Sequence, residues 1–108
     1  MEKYKSDITG NLDMFITQNE DECDGKKLKC QEILIHGDPQ GLRSLAALLI
    51  EIADTNQKDI PGLPIGARHH VHLRPSLDLS NSSDKVIIGR LDAKGTGDFY
   101  DRYNPPKR

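Results

Sequence analysis

Three of the four histidines fall within four residues, in the run His69-His70-Val71-His72, and imidazole is both the commonest metal ligand and the side chain that titrates nearest neutrality. On an extended strand alternate residues share a face. His70 and His72 therefore point one way, and His69, Val71 and Leu73 the other. A His-x-His pair offers two nitrogens to zinc or copper, and His36, expected at the end of another strand, is the residue able to add a third. No Asp or Glu stands inside the motif. The pair is accordingly expected on a partly exposed sheet face without a metal, and a small metal-binding protein or metalloenzyme centred on His70 and His72 is carried as the alternative.

The other reactive residue types give no catalytic pattern. No Gly-x-Ser-x-Gly, His-Glu-x-x-His or phosphate-cradling glycine loop is present, so no catalytic residue and no cofactor is expected. Gly95-Thr96-Gly97 resembles a phosphate loop superficially, but Pro105-Pro106 soon follow and no helix N-terminus is expected there to hold an anion. Cys23 and Cys30 could face each other across a hairpin; the lack of Cys-x-x-Cys spacing and a reducing compartment favour free thiols. Glu20, Asp21, Glu22 and Asp24 form an acidic run without the alternating oxygens and distal glutamate of a calcium loop. Its plain reading is a solvated hairpin tip, and its functional reading is a surface that steers a basic protein partner.

These residues need elements to position them. Leu12, Met14 and Ile16 alternate as in a half-buried strand over 12–17. Residues 19–25 read as a loop, and a second strand is expected over 27–36. The apolar run Ile33-Leu34-Ile35 suggests that this strand is central, covered on both faces. Gly37-Asp38-Pro39 then stops the strand, caps a helix and starts it, since proline at the first helical position has no amide to leave unpaired.

The helix is predicted from Asp38 to about Asp54. Leu42, Leu45, Ala46, Leu49, Ile52 and Ala53 make its apolar stripe, Leu48 and Ile50 widen it, and Arg43, Ser44, Glu51 and Asp54 turn away. A proline- and glycine-bearing loop over 55–66 leads to a third strand at 69–73. A polar turn over 76–84 leads to a fourth at 85–91. The expected fold is α+β: an antiparallel sheet of about four strands in β-β-α-β-β order with one amphipathic helix on one face. Residues 1–92 form the single domain, and 93–108 a flexible tail whose sticky residues are Phe99, Tyr100 and Tyr103.

Bulk composition narrows the function. A chain of 108 residues supports one core. Net charge −2, no tryptophan and 5% aromatic residues argue against nucleic-acid binding. The charge is uneven: Met1 to Gly25 carries two lysines against seven acids, and the remainder is mildly basic. With no long apolar run and no apolar centre near Met1, neither a membrane span nor an export signal is expected, and the cytoplasm is the expected location.

Three blocks carry a family likeness: Glu32-Ile-Leu-Ile-His-Gly-Asp-Pro-Gln-Gly-Leu-Arg-Ser-Leu-Ala46, His-His-Val-His-Leu73 and Ser83-Asp-Lys-Val-Ile-Ile-Gly89. Together, over about residues 28–92, the chain resembles the immunity protein 32 family of bacterial polymorphic toxin systems. The resemblance implies a small cytoplasmic antitoxin that binds and neutralises a cognate toxin without catalysis of its own. It transfers no functional residue. A structural module that dimerises through an edge strand or through Leu48 and Ile50 is the further alternative.

Overall fold

The computed structural model describes residues 5–19, 22–23, 26–27 and 30–108; side chains are described for none of 19, 22, 23, 26, 27 and 30. Its elements are β1 (Leu12–Asn19), β2 (Glu22–Cys23), β3 (Lys26–Lys27), β4 (Cys30–Gly37), α1 (Pro39–Asp54), a 3-10 turn (Gln57–Asp59), β5 (His70–Leu73) and β6 (Val86–Gly89).

Asp38 caps α1 as its place before Pro39 predicts: its carboxylate accepts from the Gly41 amide at 2.7 Å. The same carboxylate accepts from the Asn11 backbone amide at 3.0 Å and the Asn11 side chain at 2.7 Å. One side chain thus caps the helix and fixes the entry to β1. Gly41 is buried against this corner, where a Cβ would lie 2.0 Å from the Asn11 carbonyl oxygen.

That close approach sets the rotation of the helix. The buried face is Gly41, Leu45, Leu48 and Ile52, so the predicted stripe is corrected by about one position. Leu48 is core rather than spare, Ala46 and Ala53 are exposed, and Leu42 and Leu49 are each 44% exposed. Leu45, Leu48 and Ile52 pack with Ile8, Leu12, Met14, Leu73 and Leu79, and Val71, Val86 and Ile88 lean on this cluster. Fully burying each large aliphatic side chain contributes about 1.5–3 kcal/mol before ordering costs.

The protein is α+β, but the expected four-stranded sheet is not what forms: the ladders among the described residues are two-stranded, β1–β4, β2–β3 and β5–β6, all antiparallel. The cause lies on the free side of β1. Ser80 N–H donates to the Leu12 carbonyl at 3.0 Å and Asp84 N–H to the Met14 carbonyl at 2.8 Å. The amides of Met14 and Ile16 instead donate to side chains, Ser83 Oγ at 3.0 Å and Asp84 Oδ2 at 3.1 Å. Side-chain acceptors stand where a strand's carbonyls would be, and by Val86 the chain pairs with β5 instead.

A second correction concerns β4. Ile33 is 74% and Ile35 51% exposed, so this strand is not covered on both faces near its apolar run. It has β1 as its only ladder partner among the described residues, which makes it an edge.

Beyond residue 92 the chain returns to the body. Ala93 is buried, Lys94 Nζ donates to the Ile60 and Leu63 carbonyls at 2.6 Å each, and Phe99 stacks edge-on against Tyr103.

Candidate functional site

The β5–β6 ladder has one buried and one open face, as the period of a strand requires. Val71, Leu73, Val86 and Ile88 face the core. His70 stands opposite Gly89 and His72 opposite Ile87 on the outer face. Cβ-free Gly89 is needed there, since a Cβ would meet the His70 Cβ at 2.9 Å.

The two predicted imidazoles do come together, with ring centroids 5.2 Å apart. His70 Nδ1 is 3.0 Å from the Arg68 carbonyl. Partial desolvation first, then the positive charges of Lys85, His70 and Arg74, hold the His72 imidazole below its ordinary pKa. His36 is not part of this pair. It sits on β4 in the other ladder, edge-on to Phe15 with centroids 5.5 Å apart. Among the described residues no three His, Cys, Asp or Glu side chains are grouped as a metal ion requires.

A recess of about 510 Å³ adjoins this face, lined by Arg68, His69, His70, Ile87, Gly89, Arg90, Leu91, Tyr100 and Arg102. Arg68 forms its wall. Its guanidinium donates to the Leu91 and Asp98 carbonyls, each at 2.8 Å, and lies 3.8 Å from the Tyr100 ring centroid. Carbonyls and an aromatic face orient this cation without neutralising it. Arg90 differs: it forms a two-pronged pair with Asp92 at 2.8 and 2.7 Å and also donates to the Ile52 and Thr55 carbonyls at the end of α1. The pair holds the Asp92 carboxyl below the usual carboxylate range.

With Arg74, Lys85 and Arg102 exposed, the outer face of β5–β6 is cationic, with Ile87 and Tyr100 as large exposed apolar surface. Sequence reasoning identified its histidines and missed Arg68, Arg102 and Ile87. The alternation that paired His70 with His72 also holds for Lys85 and Ile87, and that was the available signal.

A second surface is apolar. A groove of about 330 Å³ runs between α1 and the ladders, lined by Met14, Phe15, Ile16, Ile33, Ile35, Leu45, Leu49, Asp84, Val86 and Ile88. The acidic run cannot be placed beside either surface: Glu20, Asp21 and Asp24 lie outside the described residues, as does the Glu22 side chain. The side chains of Cys23 and Cys30 also lie outside them.

No helix among the described residues is long and apolar enough to cross a membrane. No curated protein and no solved structure matches the chain. The family model for Immunity protein 32 matches residues 32–91, from β4 through α1 to the end of the β5–β6 ladder. That is more than half of the 108 residues, and it shows that the chain belongs to the Immunity protein 32 family.

Proposed function

We propose that the protein is the immunity partner of a bacterial polymorphic toxin, acting in the cytoplasm by binding its cognate toxin and performing no chemistry of its own. Family membership over residues 32–91 is the observation that carries this reading. The outer face of β5–β6 supplies a surface suited to it. His70, His72, Lys85, Ile87 and Tyr100 combine positive charge, aromatic edges and exposed apolar area, the mixture enriched where protein interfaces concentrate their energy. Such a face selects an acidic patch on the toxin.

The acidic run Glu20, Asp21, Glu22 and Asp24 is the competing surface and would select a basic patch. Co-expression with the toxin encoded beside this gene tests the function: restored growth is expected, and undiminished growth arrest would overturn the reading. Replacing Lys85 and His72 with glutamate, or separately the four acids with lysine, then shows which surface matters. Loss of rescue by the first pair alone is expected.

A further inference from the structure

We infer that β4 is a self-pairing edge, and that two copies of the chain join antiparallel through it, around a two-fold axis at Leu34, into a continuous sheet β1–β4–β4–β1.

Antiparallel partners alternate between pairs that bond each other and pairs whose amides and carbonyls face away. Leu12, Met14 and Ile16 turn their backbone groups outward to residues 80–84. Their partners Gly37, Ile35 and Ile33 must then turn theirs to the far side of β4. Among the described residues nothing pairs with that far side. Among the described residues one edge of this ladder is covered and the other is open, with no proline or lysine in Cys30–Gly37 to blunt it.

Parity also restricts the register. Outward residues must meet outward residues, so the two-fold axis falls on a residue rather than between two. Centred on Ile33, the pairing sets Gln31 against Ile35 and Glu32 against Leu34. Centred on Ile35, it sets Glu32 against Asp38, two like charges, and Ile33 against Gly37. Centred on Leu34, it places Ile33 opposite the second copy's Ile35, Leu34 opposite itself, and Glu32 opposite the second copy's His36. Of the three, this register alone matches apolar with apolar at Ile33, Leu34 and Ile35 and acid with imidazole at Glu32 and His36.

The surroundings agree. Ile33 and Ile35, exposed on the helix side of the strand, share the apolar groove with Leu49, and Leu42 stands against Gly37 at the end of the same strand; Leu42 and Leu49 are each 44% exposed. The two-fold axis brings both sets together over the joined strands. Exposed apolar side chains, and not main-chain bonds alone, are thereby covered.

The test uses the full-length chain with Cys23→Ser and Cys30→Ser. Light scattering across a range of concentrations is expected to show a dimer. Leu34→Cys is expected to form an interchain disulfide on mild oxidation, because facing non-bonded pairs bring Cα atoms to about 4.5 Å, within disulfide reach. Ile50→Cys, on the exposed helix surface, is expected to stay uncrosslinked. Glu32→Arg or His36→Glu alone should each weaken the dimer about tenfold, and the double swap should restore it.

A monomer at all concentrations, or crosslinking of Ile50→Cys as readily as Leu34→Cys, would overturn the inference. So would a dimer that survives Ile33→Lys, since it must then use another surface. A monomer whose Ile33→Lys variant loses protection against the toxin would also overturn it, assigning the edge to a strand of the toxin. Growth rescue is read separately from mass, so dimerisation and immunity can fail independently.

Discussion

Replacing Gly41 with alanine sets two physical effects against each other, and the structure decides between them. In an isolated helix the change would be favourable by about 1 kcal/mol, because glycine loses more backbone entropy than alanine. Here the new methyl would stand 2.0 Å from the Asn11 carbonyl oxygen and 2.7 Å from its carbon. Both are backbone atoms, so no rotamer change relieves the clash. Asn11 is also tied down: its carbonyl accepts from the Asp38 amide at 3.1 Å, and its two donors reach the Asp38 carboxylate. Moving it forfeits the cap. Overpacking costs about 1–3 kcal/mol and the cap about 1 kcal/mol. After the propensity gain of about 1 kcal/mol, the net loss should be about 1–3 kcal/mol. For a domain near 100 residues this lowers Tm by about 5–20 °C. Circular-dichroism melts with Ala47→Gly as the exposed comparison, expected to lose only about 1 kcal/mol, make the test. A Gly41→Ala protein as stable as the parent would refute the claim that this contact orients α1.

Arg90→Met should cost about 2 kcal/mol in urea titration, because it removes both the Asp92 pair and the cation that bonds the Ile52 and Thr55 carbonyls. Arg90→Lys should recover less than half, lacking the planar fork. Gln57 is 5% exposed and links the His69 amide, at 2.7 Å, to the Asp92 carbonyl, at 2.8 Å. Gln57→Met, similar in volume, should therefore cost about 2–4 kcal/mol by leaving both groups unpaired. Asp13, Asp38 and Asp92 have folded pKa values below the ordinary carboxylate range, through hydrogen bonds from Ser80, from Asn11 and from Arg90 respectively. Their contribution is present above the unfolded value of about 3.9 and is lost as pH falls through the folded values. The lowered pKa of His72 acts in the same direction, removing stability as pH drops below about 6.5. Melts from pH 8 to pH 3 should show Tm falling monotonically; Asp92→Asn should flatten the acid end.

The sequence made the local elements legible because their signals are local. Asp38-Pro39 marked the helix start, and the alternation of Leu12 and Met14 marked β1, since capping and pleating act over three or four residues. It misplaced the helix face because the residue that sets it, Gly41, carries no side chain and leaves no trace in a hydrophobic pattern. The apolar run Ile33-Leu34-Ile35 looked central, yet Ile33 and Ile35 lie on an open edge. A surface built for contact and a buried strand share the same composition. The split into separate ladders depends on Ser83 and Asp84 reaching β1 across nearly 70 residues, a coupling no spacing rule contains. Of the candidate site, the His70–His72 pairing was readable from alternation. The cationic wall of Arg68 and Tyr100 was not, because it joins chain segments about 30 residues apart.

The seam of residues 80–84 along β1 also bears on how the protein is made. On the ribosome β1, β4 and α1 emerge first, yet the groups that satisfy the Leu12, Met14 and Ile16 backbone lie at Ser80, Ser83 and Asp84. Until that stretch leaves the exit tunnel the nascent hairpin has both edges open, and Leu12 and Met14 lack the cover of Leu73 and Leu79. A chain interrupted before Asp84 is thus marked by its own exposed edges for aggregation or degradation. Only once residues 80–84 have emerged is the outer edge of β1 closed.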